Sequence, residues 1–266
     1  MSHADAGRMI ERLLVSSPYR ITPAARSGTI RYEVGFEDGR SWNWPETGEQ
    51  RIAEEGTRWL LTVCRECGRE GPPNAADLEL YRAANDVVDS DHPAVQRFAR
   101  KHAGGGSVDR RMRRLVEAVR THMDGPIDFS RYYSASQALR SRSGDCTESA
   151  VLLAATARAV GLPARLAFGV AYSSRFTGHA HVFSPHAWVQ VWDGARWRSY
   201  DAGLGKFDAG MLALHVGDGS TADLPEVTRS IEQLRIDSAT ELRRRPRDRS
   251  STGVVTADET RTSPRN

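Results

Sequence analysis

The feature that most limits how this chain can fold is the run TESAVLLAATARAVGLP at 147–163. As a helix it carries Val151, Leu152, Leu153, Ala154, Ala155, Ala157 and Val160 around nearly its whole circumference, leaving no polar face for water. Other elements must therefore enclose it. Gly161 and Pro163 supply the usual stop signal. Thr156 and Arg158 interrupt the run, so it reads as a buried core helix, and nothing in the chain reads as a membrane span. With 266 residues, 39% of them hydrophobic, the chain can bury such a core in one larger domain with a smaller one beside it.

The flanking sequence divides accordingly. TIRYEVGF at 29–36 and WLLTVC at 59–64 read as strands, EDGR at 37–40 as a turn and NWPETGEQ at 43–50 as a loop. Residues 1–76 thus form a β-rich N-terminal domain, closed by GREGPPN at 68–74. From Asp77 the spacing becomes helical. AVQRFARKHA follows Pro93, and SVDRRMRRLVEAVRTHM starts at a cap from Ser107 or Asp109. Residues 77–224 form the main domain; 225–266 carry one short helix near 226–236 and then an Arg-rich tail, RRRPRDR at 243–249, expected to be disordered. The charge balance, 37 basic against 34 acidic residues, is too even to indicate nucleic acid as a partner. The N-terminus lacks the apolar core of a secretory signal, and three cysteines do not make a disulfide scaffold. Both suggest a reducing, cytoplasmic setting.

Cys146 opens the buried helix. Unpaired N–H groups and the helix dipole at that position favour a thiolate and can receive a developing oxyanion. Free cysteine is also a common core residue, so its reactivity depends on finding a base. HAWVQVW at 186–192, Asp193-Gly194 and RWRSYD at 196–201 read as a hairpin. A two-residue Asp-Gly loop sets His186 directly opposite Asp201; a four-residue loop makes them diagonal neighbours on one face. Either register couples an imidazole to a carboxylate, as general bases are oriented. Cys146, His186 and Asp201 are therefore the candidate catalytic residues, in the arrangement of acyl-transfer chemistry.

With these blocks in hand, GDCTESAVLLAATARAVGLPARLAFGVAY, HAWVQVW and RWRSYDAGLG together resemble the transglutaminase-like superfamily. The resemblance covers about residues 132–217. It implies an α+β, papain/transglutaminase-like core in which a nucleophile helix packs on an antiparallel sheet. It also implies Cys146 as nucleophile, His186 as base and Asp201 as the residue orienting it. The expected activity is attack on an amide or peptide bond through a thioester, with hydrolysis favoured over transfer to an amine, and with no cofactor or metal. A catalytically silent binding module on the same fold is the rival reading. Two positions depart from relatives: Ala202-Gly203 follows Asp201 where Pro-Thr is common, which predicts a looser turn, and Ser149 stands where many bacterial relatives have His. A second oxyanion donor is expected among Tyr132, Tyr133 and Gln137.

Other motifs are weaker. CRECG at 64–68 lacks the second pair that a zinc site needs, so Cys64 and Cys67 read as inert buried thiols, with redox or metal roles as the alternative. His179 and His181 fall on an expected loop at the cleft mouth and lack a ligand partner at metal spacing. Trp188, Trp192 and Trp197 read as cross-strand packing of the hairpin rather than a cleft lining.

Overall fold

The computed structural model describes residues 10–56, 58–127, 132–222 and 224–242. Its elements run β1 (Val15–Ser16), α1 (Pro23–Arg26), β2 (Ile30–Phe36), β3 (Gln50–Glu55), β4 (Arg58–Val63), α2 (Ala75–Leu80), α3 (Pro93–Ala103) and α4 (Val108–His122). Then follow α5 (Ala135–Ser141), α6 (Cys146–Ala159), β5 (Ala164–Phe176), β6 (His179–Trp192), β7 (Trp197–Tyr200), β8 (Met211–Gly217), α7 (Leu224–Gln233) and β9 (Leu234–Glu241). The architecture is α+β.

The apolar run is α6, and every residue from Glu148 to Arg158 is buried. It packs on β5 and β6 and is covered by α3, α4 and α5. Its interruptions are absorbed locally. Thr156 Oγ1 donates to the Leu153 carbonyl at 2.8 Å. Arg158 donates to the carbonyls of Ala164, Ala83 and Asp218 at 2.9, 2.9 and 2.7 Å, so its charge is met by backbone dipoles in the interior. At the end of α6, Gly161 takes φ +79°, and the Leu162 N–H reaches back to Ala157 in a left-handed stop.

One antiparallel sheet has the order β1-β6-β5-β8, with β7 paired to the far part of β6. A second has the order β3-β4-β2-β9. Tyr32 Oη donates to the Ala209 carbonyl at 2.7 Å, and Gln50 exchanges two bonds of 2.9 Å with the Ala213 backbone, tying the sheets together.

Three sequence expectations are corrected. The segment after 225 was expected to hold a helix near 226–236 and then only tail; the helix ends at Gln233, and Leu234–Glu241 is a strand paired along the whole of β2. Leu234 and Ile236 are buried at a spacing of two, a strand period hidden by the helical pattern just before it. The tail beyond 243 lies outside the described residues. Next, His179 and His181 lie in β6 rather than on a loop, because β5 and β6 continue to a Thr177-Gly178 turn. Both turn residues have positive φ, +44° and +88°, as a tight hairpin turn requires. Third, Cys64 and Cys67 are not separate thiols but a disulfide, leaving Cys146 as the free cysteine. That pairing removes the basis on which the cysteine count suggested a reducing compartment. Among the described residues, no helix is long and apolar enough to cross a membrane.

Candidate active site

Cys146 is the first residue of α6, capped by its neighbours. Asp145 Oδ1 accepts from the Thr147 N–H at 2.7 Å, and Glu148 Oε2 accepts from the Asp145 N–H at 2.9 Å, closing a reciprocal capping box. Glu148 Oε1 takes a further bond from the Tyr133 N–H. Burial, then the nearby Asp145 charge, pushes the Glu148 carboxyl up to about 7. These bonds fix the helix start and leave the sulfur half-exposed, 4.0 Å from the Pro185 carbonyl on the strand that carries His186.

The hairpin carrying His186 and Asp201 uses the longer of the two loops. Trp192 pairs with Trp197 and Val189 with Tyr200, so Asp193 to Arg196 form a four-residue connection. The two-residue reading fails because a type I′ turn needs positive φ at both central positions, and only Gly194 has it. Asp193 Oδ1 instead accepts the N–H groups of Ala195 and Arg196, both at 2.9 Å. In this register His186 and Asp201 are diagonal neighbours, and His186 Nε2 donates to Asp201 Oδ2 at 2.8 Å with both residues buried.

The other oxygen, Asp201 Oδ1, accepts from the Gly203 and Leu204 N–H groups at 2.7 and 3.1 Å. The turn after Asp201 is thus closed by the carboxylate itself, and the looser turn expected from Ala202-Gly203 is not what the structure shows. Gly203 has a role that the sequence did not reveal. A Cβ there would lie 3.3 Å from Asp201 Oδ1, 3.4 Å from His186 Cε1 and 3.6 Å from Cys146 Cβ. Its missing side chain keeps this group open.

With Nε2 committed to Asp201, Nδ1 is the imidazole nitrogen left to face Cys146. Burial alone would lower the His186 pKa. The bonds and charges of Asp201 and Cys146 outweigh it and carry the group up to about 10. The Trp188 ring stacks against the imidazole at 6.1 Å, and its indole N–H donates to Ser199 Oγ at 3.1 Å. Trp192 and Trp197 pack on each other across the hairpin at 5.8 Å, as the sequence predicted.

All three sequence-predicted residues therefore meet, and Cys146 and His186 face a cleft of about 800 Å³. Among the three candidates for a second oxyanion donor, Gln137 is occupied as a helix cap, its Oε1 accepting from the Ser134 N–H at 3.0 Å. Tyr133 does not line the cleft. Tyr132 does, and its hydroxyl is buried without a hydrogen-bond partner. Ser149 also lines the cleft. His181 Nδ1 is bonded to the Tyr172 hydroxyl at 2.8 Å, away from His186, and among the described residues no three His, Cys, Asp or Glu side chains converge as a metal-binding set.

The chain resembles several solved structures at low identity. A candidate cysteine protease from Cytophaga hutchinsonii is 15% identical with a TM-score of 0.48, over 81% of this chain and 86% of the other. The periplasmic domain of TgpA from Pseudomonas aeruginosa, bound to ethylmercury, is 14% identical with a TM-score of 0.45, over 74% and 93%. Red sea bream transglutaminase is 10% identical with a TM-score of 0.35, over 71% and 47%. No protein of curated function matches the chain. Residues 96–202, which hold α6 and the hairpin with Cys146, His186 and Asp201, match the family model of the transglutaminase-like superfamily, so this part of the chain is similar to that superfamily.

Proposed function

We propose that the protein is a cysteine-dependent acyl-transfer enzyme acting on an amide or peptide bond. The observation that carries this reading is the buried 2.8 Å bond from His186 to Asp201, set beside a free cysteine at a helix start in an open cleft. The raised His186 pKa supports an imidazolium at His186 at neutral pH, a proton donor for the leaving group.

The Cys146 thiolate attacks the carbonyl carbon, and the carbonyl π electrons move to oxygen. The Cys146 backbone N–H in the first turn of α6 and the Tyr132 hydroxyl stabilise that oxyanion. His186 gives its Nδ1 proton to the leaving nitrogen, the C–N bond breaks, and an acyl thioester remains on Cys146. His186, now neutral, takes a proton from water, which attacks the thioester; the sulfur leaves and the acid is released. Asp201 holds the ring through both steps. We favour water as acceptor because it needs no dedicated second site, and place transfer to an amine second.

The test is mass spectrometry of the intact protein and of products after incubation with a peptide library, with and without a primary amine. An acyl adduct on Cys146 and hydrolysed peptide are expected, and Cys146→Ala should yield neither. Amine adducts without hydrolysis would reverse the order of the two acceptors. Turnover that survives Cys146→Ala would overturn the thiol mechanism.

A further inference from the structure

The cleft is walled by more than the hairpin and the nucleophile helix. Leu224, Val227, Thr228 and Ile231 of α7 line it, spaced three, four and seven residues from the first, so one stripe of α7 faces the opening. Phe168, Tyr172 and Phe176 line it from β5, four residues apart and therefore on one face of the strand, beginning beside the Gly169–His186 rung. At the mouth lie Ile127 and Leu204, 65% and 55% exposed, the most exposed of the large aliphatic side chains among the described residues. Apolar surface left open to water beside a reactive group marks a binding face.

The polar groups around this wall are mostly committed. The Asp145 and Glu148 carboxylates are held by the N–H groups of Thr147 and Asp145 at the start of α6 and by that of Tyr133. Arg120 lines the rim as the one lysine or arginine among the lining residues. Neither set suits a basic substrate side chain. The α7 wall also lies outside residues 96–202, the span that matches the superfamily model.

We propose that this cleft selects peptides presenting a large aliphatic or aromatic side chain next to the attacked carbonyl, with α7 and β5 holding that side chain. The proposal rests on the acyl-transfer role of Cys146, and its test separates the two. N-acetyl-Gly-X-Gly amides with X as Phe, Leu, Ala, Gln or Glu are titrated into full-length Cys146→Ala protein by calorimetry, and turnover of the same peptides is followed with wild-type protein. Phe and Leu peptides are expected to bind about 10- to 100-fold more tightly than Gln and Glu peptides, the discrimination that burial of such side chains supports. Leu224→Glu and Thr228→Glu, both at half-buried positions of the stripe, should remove most of that preference. Equal binding across the series, preference for Gln, or preference for Glu drawn by Arg120 would overturn the proposal, as would binding by none of the peptides. These outcomes come from Cys146→Ala protein itself, so they stand even if a helix variant fails to fold. Selective binding without turnover would sink the catalytic reading and leave the cleft assignment; turnover without selectivity would do the reverse.

Discussion

Asp201 makes three bonds with two oxygens, and each does something different. Oδ2 holds the His186 ring, while Oδ1 holds the Gly203 and Leu204 N–H groups. Asp201→Asn can keep one set only by presenting its NH₂ to the other. It is expected to fold yet lose about 10²-fold or more in turnover, the scale of loss when a triad acid is replaced. The same change removes the largest influence raising the His186 pKa, so the titration of its ring protons by NMR should move down from about 10. The stability that His186 contributes through this raised pKa is fully present below about 6.5 and is lost as pH rises through about 10. An unmoved titration would show that Asp201 does not set the charge state of His186. At Gly203 the expected effect is steric. Gly203→Ala places one carbon in tight contact with Asp201, His186 and Cys146, whereas Gly203→Val adds methyl groups beside the sulfur. Iodoacetamide labelling of Cys146 should be at least tenfold slower in the Val variant; equal rates would mean that the sulfur is approached from another side. The three catalytic candidates were legible because each sits at a local signal: a cap before an all-apolar helix, and a hairpin turn that counts out the pairing. Gly203 was not, because the space that a glycine leaves empty belongs to its neighbours in space.

β7 is a four-residue edge strand, and the residue carrying Asp201 follows it directly. Its free side is held by Glu49, whose two carboxylate oxygens both accept from the Ser199 N–H at 3.1 Å. Burial pushes Glu49 up to about 7, against the pull of the Ser199 bonds and of Arg196 and Arg198. Since its folded pKa lies above its unfolded value, its contribution to stability is complete below about 4.5 and is lost as pH rises through about 7. The whole span is worth about 3 kcal/mol. Glu49→Gln keeps an acceptor for Ser199 and removes the titration. It should unfold at higher temperature than wild type at pH 8 and at no higher temperature at pH 5, with activity retained; a difference that does not depend on pH would mean that Glu49 is already fully ionised in the folded state. Sequence reading placed Glu49 in a polar loop, which is correct, but its carboxylate acts on a strand 150 residues away. The choice between hairpin registers escaped in a similar way. It turned on the Asp193 side chain capping Ala195 and Arg196, a contact compatible with the same Asp-Gly letters that signal a two-residue loop.

The chain closes on itself through its last described strand. β9 fills the edge of β2 over seven paired positions, and α7, immediately before it, supplies one wall of the active-site cleft. A strand recruited from 200 residues away leaves no local trace except its own alternation, which is why β2, β4 and the helices around α6 were legible and the partner of β2 was not. The physical consequence is that the site depends on a segment outside the superfamily match. Leu234 and Ile236 are 6% and 4% exposed, and burying two such side chains contributes roughly 3–6 kcal/mol, comparable to the net stability of many domains. A chain ending after Leu242 retains every described contact and should melt within a degree or two of the full chain. A chain ending after residue 222 loses α7 and β9 together and exposes the β2 edge, a template for intermolecular pairing. It should aggregate or melt well below the full chain, and Ile236→Ala alone should cost about 2–5 kcal/mol as a buried truncation. Thermal unfolding followed by circular dichroism checks all three. If the chain ending at 222 melts like the full protein and still labels at Cys146 at the same rate, the C-terminal strand and helix are attachments, and the domain that carries the chemistry is complete without them.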